Sequence, residues 1–377
     1  MKAGVGFNFQ NYQDWDRFEA KDTSRSPVTS DQQIWDEELH LYGLLDPLGF
    51  DSMWALDHHF APYIMSGSPL FQLSHYAGIS KRLDMGSMVV VLPWYDPITI
   101  AEQICVLDHM LQGRRLTIGV GRGVAQREFD TYRIPLSESR GRFMESLEVV
   151  RLALTEEFFS FDGEFYKIPE TTIRPRPRTP NLAGQFKAAW VSPESLNLLA
   201  NAGVGMLLTN QKSWEGYQKD VKDFNDVRAQ KNWEPIQPTV VVNVSCADSQ
   251  DEAWENILRH TSEMQDSIER HYHFSDSSQF EGVKGYDYYA GFGKTMTKKT
   301  PEEIGAFNAQ PQAWGTPDQV LEKIEFIKNM TSAEEFIFGF RYGGMPANIA
   351  ERSMRLFAEH VLPTVHSWDA KAALTGG

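Results

Sequence analysis

The 377-residue sequence has only two cysteines, Cys105 and Cys246, which lie far apart in the chain. This scarcity excludes a disulfide scaffold and a zinc site built from thiolates. Basic residues are also few, with 36 Lys and Arg against 51 Asp and Glu and a formal net charge of −15. The acidic balance argues against a nucleic-acid-binding protein, which needs a basic face to replace the counterions on phosphate.

Long apolar runs are absent as well. The longest, Met88–Tyr95, is far shorter than the ~20 residues that cross a bilayer. The opening segment Met1–Phe9 is too short and too mixed for a signal peptide. We therefore expect a reduced, cytoplasmic, soluble protein that binds neither nucleic acid nor membrane.

Short β-branched or aromatic runs alternate with amphipathic segments along most of the chain. Eight runs are typical of strands: Ala3–Phe9, Ser52–Asp57, Leu83–Val91, Leu116–Val120, Lys187–Val191, Gly205–Leu208, Thr239–Ser245 and Glu335–Phe340. Apolar residues three and four apart predict helices over 98–111, 138–157, 193–202, 250–268, 317–330 and 347–362. Eight strand–helix units predict a closed (β/α)8 TIM barrel of class α/β, and a doubly wound open sheet is the alternative.

We assign residues 1–365 to one domain and 366–377 to a C-terminal tail. Two connections are unusually long, 121–186 and about 270–312. The first contains Phe158–Tyr166, which predicts a hairpin that turns at Asp-Gly. The second is rich in Tyr, Gly, Ser and Lys, which indicates a functional lid or a disordered segment.

In a (β/α)8 barrel the active site lies at the carboxyl ends of the strands, so the residues there rank first. The second strand ends in Asp57-His58-His59-Phe60. The two histidines either cap and pack or take part in chemistry. A metal site made from Asp57, His58 and His59 is disfavoured, because adjacent residues at a strand end point in opposite directions. We therefore expect no metal.

The fourth and fifth strand ends offer groups for an anionic ligand. The run Gly119–Gly123 lacks the full dinucleotide fingerprint, but it combines close backbone approach with the cation of Arg122. Ser192 and Ser195 open a helix after the fifth strand, which makes either an anion site or a simple N-cap. An aromatic rim at the same end is typical of a pocket for a flat, apolar ligand: Phe9, Phe60, Tyr63, Trp94, Tyr95, Phe129 and Tyr132.

Several blocks resemble the bacterial luciferase-like flavin monooxygenases in sequence, order and spacing. They are Gly49–Phe60, Val91–Pro93, Asp96-Pro97, Ala101-Glu102, Leu107-Asp108, Gly113–Gly123, Lys284–Asp287, Gly315–Pro317 and Ser353–Pro363. The resemblance runs from the first strand to about residue 365. It implies a barrel that binds reduced FMN from a partner flavin reductase, forms a peroxyflavin with O2, and oxidises a small, largely apolar organic substrate. That oxidation is a hydroxylation or an oxygen insertion beside a carbonyl.

The resemblance also implies roles for individual residues. His58 matches the family's catalytic histidine, and Arg122 matches the arginine that reaches the cofactor. Met88-Val89 falls where the family has a bulge with a cis peptide beneath the flavin. Three further groups complete the expectation, namely Ser192 and Ser195 for the phosphate, residues 270–300 for a mobile lid, and Phe9, Phe60, Tyr63, Trp94, Tyr95 and Asn210 for the substrate pocket.

A homodimer is a further expectation from the family. The helices over Glu102–Leu111 and 138–157 each present a broad apolar face. Such a face suits either a second copy of the chain or the chain's own barrel.

The sequence departs from the light-emitting members at three positions. Gly121 stands in place of a reactive cysteine, Val191 in place of an acidic residue of the phosphate site, and Asn210 in place of a tryptophan. We therefore do not carry over light emission or a fatty-aldehyde substrate.

Two other functions stay open at this point. A deazaflavin-dependent hydride-transfer enzyme would need extra basic residues for the cofactor's acidic tail, and Arg174, Arg176 and Arg178 are the candidates. A non-catalytic flavin-binding protein is the third reading.

Overall fold

Eight parallel strands form a closed ring in the computed structural model, which describes residues 1–190, 192–209, 211–280, 283, 286 and 301–369. The strands are Lys2–Phe7 (β1), Ser52–Ala55 (β2), Asp84–Ser87 (β3), Leu116–Gly121 (β4), Phe186–Ala188 (β5), Gly205–Leu208 (β6), Thr239–Cys246 (β7) and Glu335–Gly339 (β8). Each strand pairs with the next, and β8 pairs with β1. The predicted (β/α)8 barrel is confirmed, and the open sheet is wrong.

Helices follow the strands and pack on the outside of the ring. Those of seven residues or more are Asp31–Gly43, Pro69–Ile79, Pro97–Leu111, Gln126–Tyr132, Ser139–Thr155, Pro193–Ala202, Trp214–Ala229, Gln250–Tyr272, Pro301–Ala309, Pro317–Thr331 and Ala347–His360. Shorter ones are Trp15–Glu19, Leu45–Leu48 and Leu362–Ser367. All six helices predicted from apolar spacing are present, with ends that differ by a few residues.

The helix Asp31–Gly43 was not predicted, and its burial explains why. Its inward stripe contains Ile34, Leu41 and Tyr42, but the same stripe also contains the carboxyl group of Glu38. A charged residue in the buried stripe breaks the apolar periodicity on which the prediction depends.

The third predicted strand, Leu83–Val91, is in fact interrupted. β3 ends at Ser87, the peptide bond between Met88 and Val89 is cis, and a two-residue strand Val90–Val91 then pairs with β4. The cis peptide implied by the family resemblance is therefore present, whereas a continuous strand is wrong. The chain forms a bulge at the carboxyl end of β3.

The first long connection forms the predicted hairpin. Phe159–Asp162 pairs antiparallel with Lys167–Thr171, and the chain turns between Gly163 and Tyr166. The carboxylate of Glu145, on the helix Ser139–Thr155, accepts backbone N–H groups from three turn residues and so fixes the hairpin to the barrel.

Most of the predicted lid, residues 270–300, lies outside the described residues, so the lid stays a prediction. The helix Gln250–Tyr272 enters this segment and ends four residues later than predicted. No helix of the described chain is long and apolar enough to cross a membrane.

The interior of the barrel is filled by large side chains below the site. Trp54, Leu207 and Ile337 form a buried cluster on β2, β6 and β8. A Cβ atom at Gly4 or Gly86 would lie within 2.8 Å of the Trp54 ring, so glycine at these two positions makes room for the indole. This packing leaves the carboxyl ends of the strands as the place for a ligand.

Candidate active site

Two adjacent histidines at the carboxyl end of β2 face different carboxylates. His58 Nδ1 lies 3.1 Å from Glu128 Oε1, whereas His59 Nε2 lies 3.0 Å from Asp57 Oδ1. Because the two side chains diverge, they organise two separate hydrogen-bond networks, the Glu128 network and the Asp57 network. The divergence agrees with the argument that Asp57, His58 and His59 do not surround one ion.

The Glu128 network joins three elements. Glu128 lies in the helix Gln126–Tyr132 after β4, and its Oε1 accepts the backbone N–H of His59 at 2.7 Å. His271 Nε2 lies 3.3 Å from the same oxygen, and its ring stacks on Tyr63. On the other side of His58, the hydroxyl of Tyr272 lies 3.2 Å from Nε2. The last turn of Gln250–Tyr272 therefore delivers two side chains to His58.

The charges in this network follow from the contacts. Burial opposes ionisation of Glu128, but the imidazoles of His58 and His271 outweigh it and hold the pKa of Glu128 at about 2. Burial lowers the pKa of His271 to about 4, so its imidazole is neutral near pH 7. An ionised carboxylate beside Nδ1 favours the His58 tautomer that is protonated at Nδ1. His58 Nε2 is then the nitrogen that faces Tyr272.

The Asp57 network ties the end of β2 to the bulge. Asp57 is 2% exposed, and its Oδ2 accepts the backbone N–H of Val91 at 2.9 Å. Its Oδ1 accepts the hydroxyl of Tyr95 at 2.8 Å, and the Tyr132 hydroxyl lies 3.1 Å from His59 Nδ1. Burial and the neighbouring Asp57 both raise the pKa of Tyr95, which keeps the phenol protonated. The bulge therefore has a fixed position relative to both histidines.

Glycines beside the bulge explain one departure from the family. A Cβ atom at Gly121 would lie 2.5 Å from Cγ2 of Val89, so the space that a cysteine side chain needs is taken by valine. Gly123 has a φ of 77°, and a Cβ atom there would lie 2.8 Å from Cγ1 of Val91. Between them, the guanidinium of Arg122 lies 4.0 Å from the centre of the Tyr286 ring.

Ser192 and Ser195 meet at the start of the helix after β5. Ser192 Oγ accepts the backbone N–H of Ser195 at 3.2 Å and lies 2.9 Å from Ser195 Oγ, and Pro193 occupies the first helical position. The N-cap arrangement is therefore present. Val191 lies outside the described residues, and the anion site stays a prediction.

The aromatic residues divide between the two networks. Tyr63 packs against His58 and His271, and Phe60, Trp94 and Tyr132 surround His59. Phe129 packs on the other side of Trp94. Phe9 is fully buried and packs on Trp35 in the main core. Asn210 lies outside the described residues.

Sequence reasoning missed Glu128, His271 and Tyr272. Glu128 follows the glycine-rich end of β4 by a few residues, and His271 and Tyr272 lie at the start of the predicted lid, so proximity to those motifs was the available signal. Among the described residues, His58, Glu128 and His271 also form a group whose potential ligand atoms all lie within 4.8 Å of one another.

Comparisons with known proteins point to one family of monooxygenases. The model of a family described as luciferase-like monooxygenase matches residues 18–332. The alkanal monooxygenase alpha chain of Aliivibrio fischeri is 25% identical over 331 residues, which cover 84% of this chain and 89% of that protein. The crystal structure of the monooxygenase RslO1 from Streptomyces bottropensis is 25% identical, with a TM-score of 0.76 over 97% of this chain and 100% of that one.

Two more distant structures share the fold alone. One is the oxygenating constituent of 3,6-diketocamphane monooxygenase from Pseudomonas putida in complex with FMN, with 20% identity, a TM-score of 0.69 and coverage of 96% and 98%. The other is an F420-dependent secondary alcohol dehydrogenase, with 14% identity, a TM-score of 0.68 and coverage of 97% and 98%.

Proposed function

Because the chain belongs to the luciferase-like monooxygenase family, we propose that it is a two-component, FMN-dependent monooxygenase. Reduced FMN from a separate flavin reductase and O2 are its co-substrates, and a small, largely apolar organic molecule is oxidised. The observation that carries the proposal is the position of His58, which lies between the ionised Glu128 and Tyr272 at the same strand ends as the Met88-Val89 bulge.

The residues at the barrel mouth fit a flavin mononucleotide. Arg122 offers a cation, and the first turn of Pro193–Ala202 offers the Ser192 and Ser195 hydroxyls with helix N–H groups, which together suit a phosphate. Reduced FMN, when bound there, supplies the electrons that activate oxygen.

The side chains around that position have distinct tasks. His58 Nε2 holds or accepts a proton, and Tyr272 is within hydrogen-bond distance of this nitrogen. Glu128 keeps the His58 ring in one orientation from the opposite side. Trp94 and Tyr132, whose stacked rings are 5.6 Å apart, exclude water near His59 and provide apolar surface for the substrate.

A deazaflavin-dependent reaction gains no support from the arginines that suggested it. Arg176 donates to the backbone carbonyls of Ala153 and Leu154, at the C-terminus of the helix Ser139–Thr155. Arg174 pairs with Glu157 at the surface. Helices run antiparallel to the strands that they cover, so these arginines lie at the end of the barrel opposite the candidate site.

Of the helices considered for a homodimer interface, some expose apolar side chains and one does not. The apolar residues of Ser139–Thr155 pack inward, so this helix covers its own barrel. The helices Pro69–Ile79 and Pro97–Leu111, in contrast, expose large apolar side chains, namely Phe71, Ile79, Val106 and Met110. We place the interface with a second copy there, and sedimentation of a Phe71→Asp variant against wild type tests it.

The proposed function is tested by rapid mixing. The chain is loaded anaerobically with reduced FMN and followed by absorbance after O2 is added. We expect a species absorbing in the near ultraviolet to precede oxidised flavin, and to be much shorter-lived in His58→Ala. Reoxidation at the rate of free flavin despite tight binding would contradict the proposal, and reduced deazaflavin is then the next ligand to test.

The phosphate site has a matched control within the chain. Ser213 caps the helix Trp214–Ala229 just as Ser192 caps its helix, because each hydroxyl accepts an N–H group at 3.2 Å. Ser192→Ala and Ser213→Ala should each lower the free energy of unfolding by about 1 kcal/mol. Only Ser192→Ala should weaken FMN binding, measured by flavin fluorescence. Equal FMN affinities in the two variants would remove Ser192 from the cofactor site.

A further inference from the structure

His58, Glu128 and His271 come from three different segments and converge on one point. Glu128 Oε1 lies 3.1 Å from His58 Nδ1 and 3.3 Å from His271 Nε2. Ligands that bind one ion at ~2.0–2.2 Å lie roughly 3.0–3.5 Å apart at tetrahedral or octahedral angles. The two distances to Glu128 lie in this range, and all three ligand atoms lie within 4.8 Å of one another. We propose that these three side chains bind a divalent transition-metal ion, and that the ion withdraws His58 from catalysis.

Unsatisfied buried atoms point to the same ligand. The His271 ring is fully buried, and neither of its nitrogens has a hydrogen-bond partner among the described residues, since the 3.3 Å approach to Glu128 lacks hydrogen-bond geometry. Glu128 Oε2 is also buried and without a partner there. A buried polar atom without a partner costs about 1–3 kcal/mol. An ion between these groups would give His271 Nε2 a partner, and it would also give Glu128 Oε2 one if both carboxylate oxygens bind it.

The donor set selects a class of ion. Two imidazoles and one carboxylate suit Fe²⁺, Co²⁺, Ni²⁺, Cu²⁺ or Zn²⁺, whereas Ca²⁺ and Mg²⁺ require mainly oxygen ligands. The sequence disfavours a metal site made from Asp57, His58 and His59. The structure turns His59 toward Asp57 and brings Glu128 and His271 to His58 instead.

Metal binding and the proposed catalytic arrangement exclude each other. This second part of the proposal, inhibition by the ion, rests on the proposed function. The ion would bind His58 Nδ1, the atom that otherwise donates to Glu128 Oε1. A neutral imidazole that binds metal through Nδ1 carries its proton on Nε2, opposite Tyr272. His58 Nε2 then has no lone pair with which to accept a proton. The ion is therefore an inhibitor of this site.

Cobalt titration of the full-length, flavin-free chain tests the site directly after treatment with a chelator. We expect one equivalent of Co²⁺ to bind with a visible ligand-field absorption. Glu128→Gln, His271→Ala and His58→Ala should each weaken binding by at least about 10-fold. His260→Ala is the matched control, because His260 is also buried and also pairs with a glutamate, Glu263, at 2.7 Å on the same helix. It should leave the Co²⁺ affinity unchanged.

The outcomes separate this proposal from the proposed function. Circular dichroism identifies any variant that does not fold, and the partly exposed His58 provides the variant least harmful to the core. Absence of stoichiometric Co²⁺ binding, or binding that survives in folded His58→Ala and His271→Ala, overturns the metal site. Binding without Zn²⁺ inhibition of the FMN reaction overturns the second part. Binding by a chain that never protects reduced FMN retains the metal site and refutes the monooxygenase.

Discussion

Two glutamates of this barrel are equally buried, yet their pKa values shift in opposite directions. Glu128 is 0% exposed with a pKa of about 2, and Glu38 is 1% exposed with a pKa of about 7. Burial acts on both carboxyl groups in the same direction, since it disfavours the charged form. The difference therefore comes from what faces each carboxyl group.

The neighbours of the two side chains differ in kind. Glu128 receives a backbone N–H from His59 and has two imidazoles within 3.3 Å. For Glu38, burial raises the pKa. Arg341, with Nη1 3.7 Å from Oε1, and a backbone hydrogen bond from Phe9 only partly offset this rise. Its Oε2 has no hydrogen-bond partner in the described part of the chain. Two imidazoles beside a buried carboxylate thus mark the candidate site, whereas Glu38 in the outer helix layer has no imidazole partner among the described residues.

Replacement of Glu128 should have the largest effect. Glu128→Gln keeps the shape of the side chain but removes the charge that orients His58, so the ring no longer has a fixed tautomer. We expect the species that precedes oxidised flavin to decay about 100-fold faster, within the range of general acid–base contributions. Stopped-flow absorbance measures this lifetime.

Glu38→Gln provides the comparison for that experiment. It removes an equally buried carboxyl group from outside the two networks, and the lifetime should remain that of wild type. Equal lifetimes in folded Glu128→Gln and wild type would show that Glu128 does not position His58.

A third buried carboxylate, Asp57, tests whether the hydrogen bonds that hold the bulge also support FMN binding. Asp57 accepts the backbone N–H of Val91 with Oδ2 and the Tyr95 hydroxyl with Oδ1. Asparagine has only one side-chain oxygen, so it cannot accept both hydrogen bonds as well as the carboxylate does. Asp57→Asn should lower the free energy of unfolding by about 2 kcal/mol and weaken FMN binding, because the bulge loses its anchor. Urea denaturation and flavin fluorescence give the two numbers.

Asp108 serves as the control for Asp57. It is fully buried and accepts three hydrogen bonds from Arg178 and Thr179, but it lies outside both networks. Asp108→Asn should cost similar stability and leave FMN affinity intact. If both variants lose affinity equally, the effect of Asp57 is global destabilisation rather than support of the bulge.

The same contrast shows what the sequence reveals and what it conceals. His58, Arg122, Ser192 and Ser195 were found because apolar runs mark the strands, and barrel topology brings the strand ends to one mouth. Glu128 and His271 were not found, because their contact depends on how the helix Gln250–Tyr272 crosses that mouth. Such a long-range approach leaves no trace in local periodicity. Glu38 had the opposite effect, since a carboxyl group in the buried stripe concealed a helix.

The smallest predicted effect concerns pH and stability. The pKa of Glu38 is raised in the folded chain from 4.5 to about 7, so its contribution to stability is complete below about pH 4.5 and is lost as pH rises through about 7. The glutamine of Glu38→Gln cannot ionise, so the variant does not lose this stability as the pH rises. The free energy of unfolding of the variant should therefore rise relative to wild type by about 1 kcal/mol between about pH 6 and pH 8.

Glu128→Gln should show no such trend, because both the folded and the ordinary pKa of Glu128 lie below this window. A flat difference for Glu38→Gln in urea denaturation would mean that Arg341 compensates the carboxylate fully, and the contrast between the two glutamates would disappear.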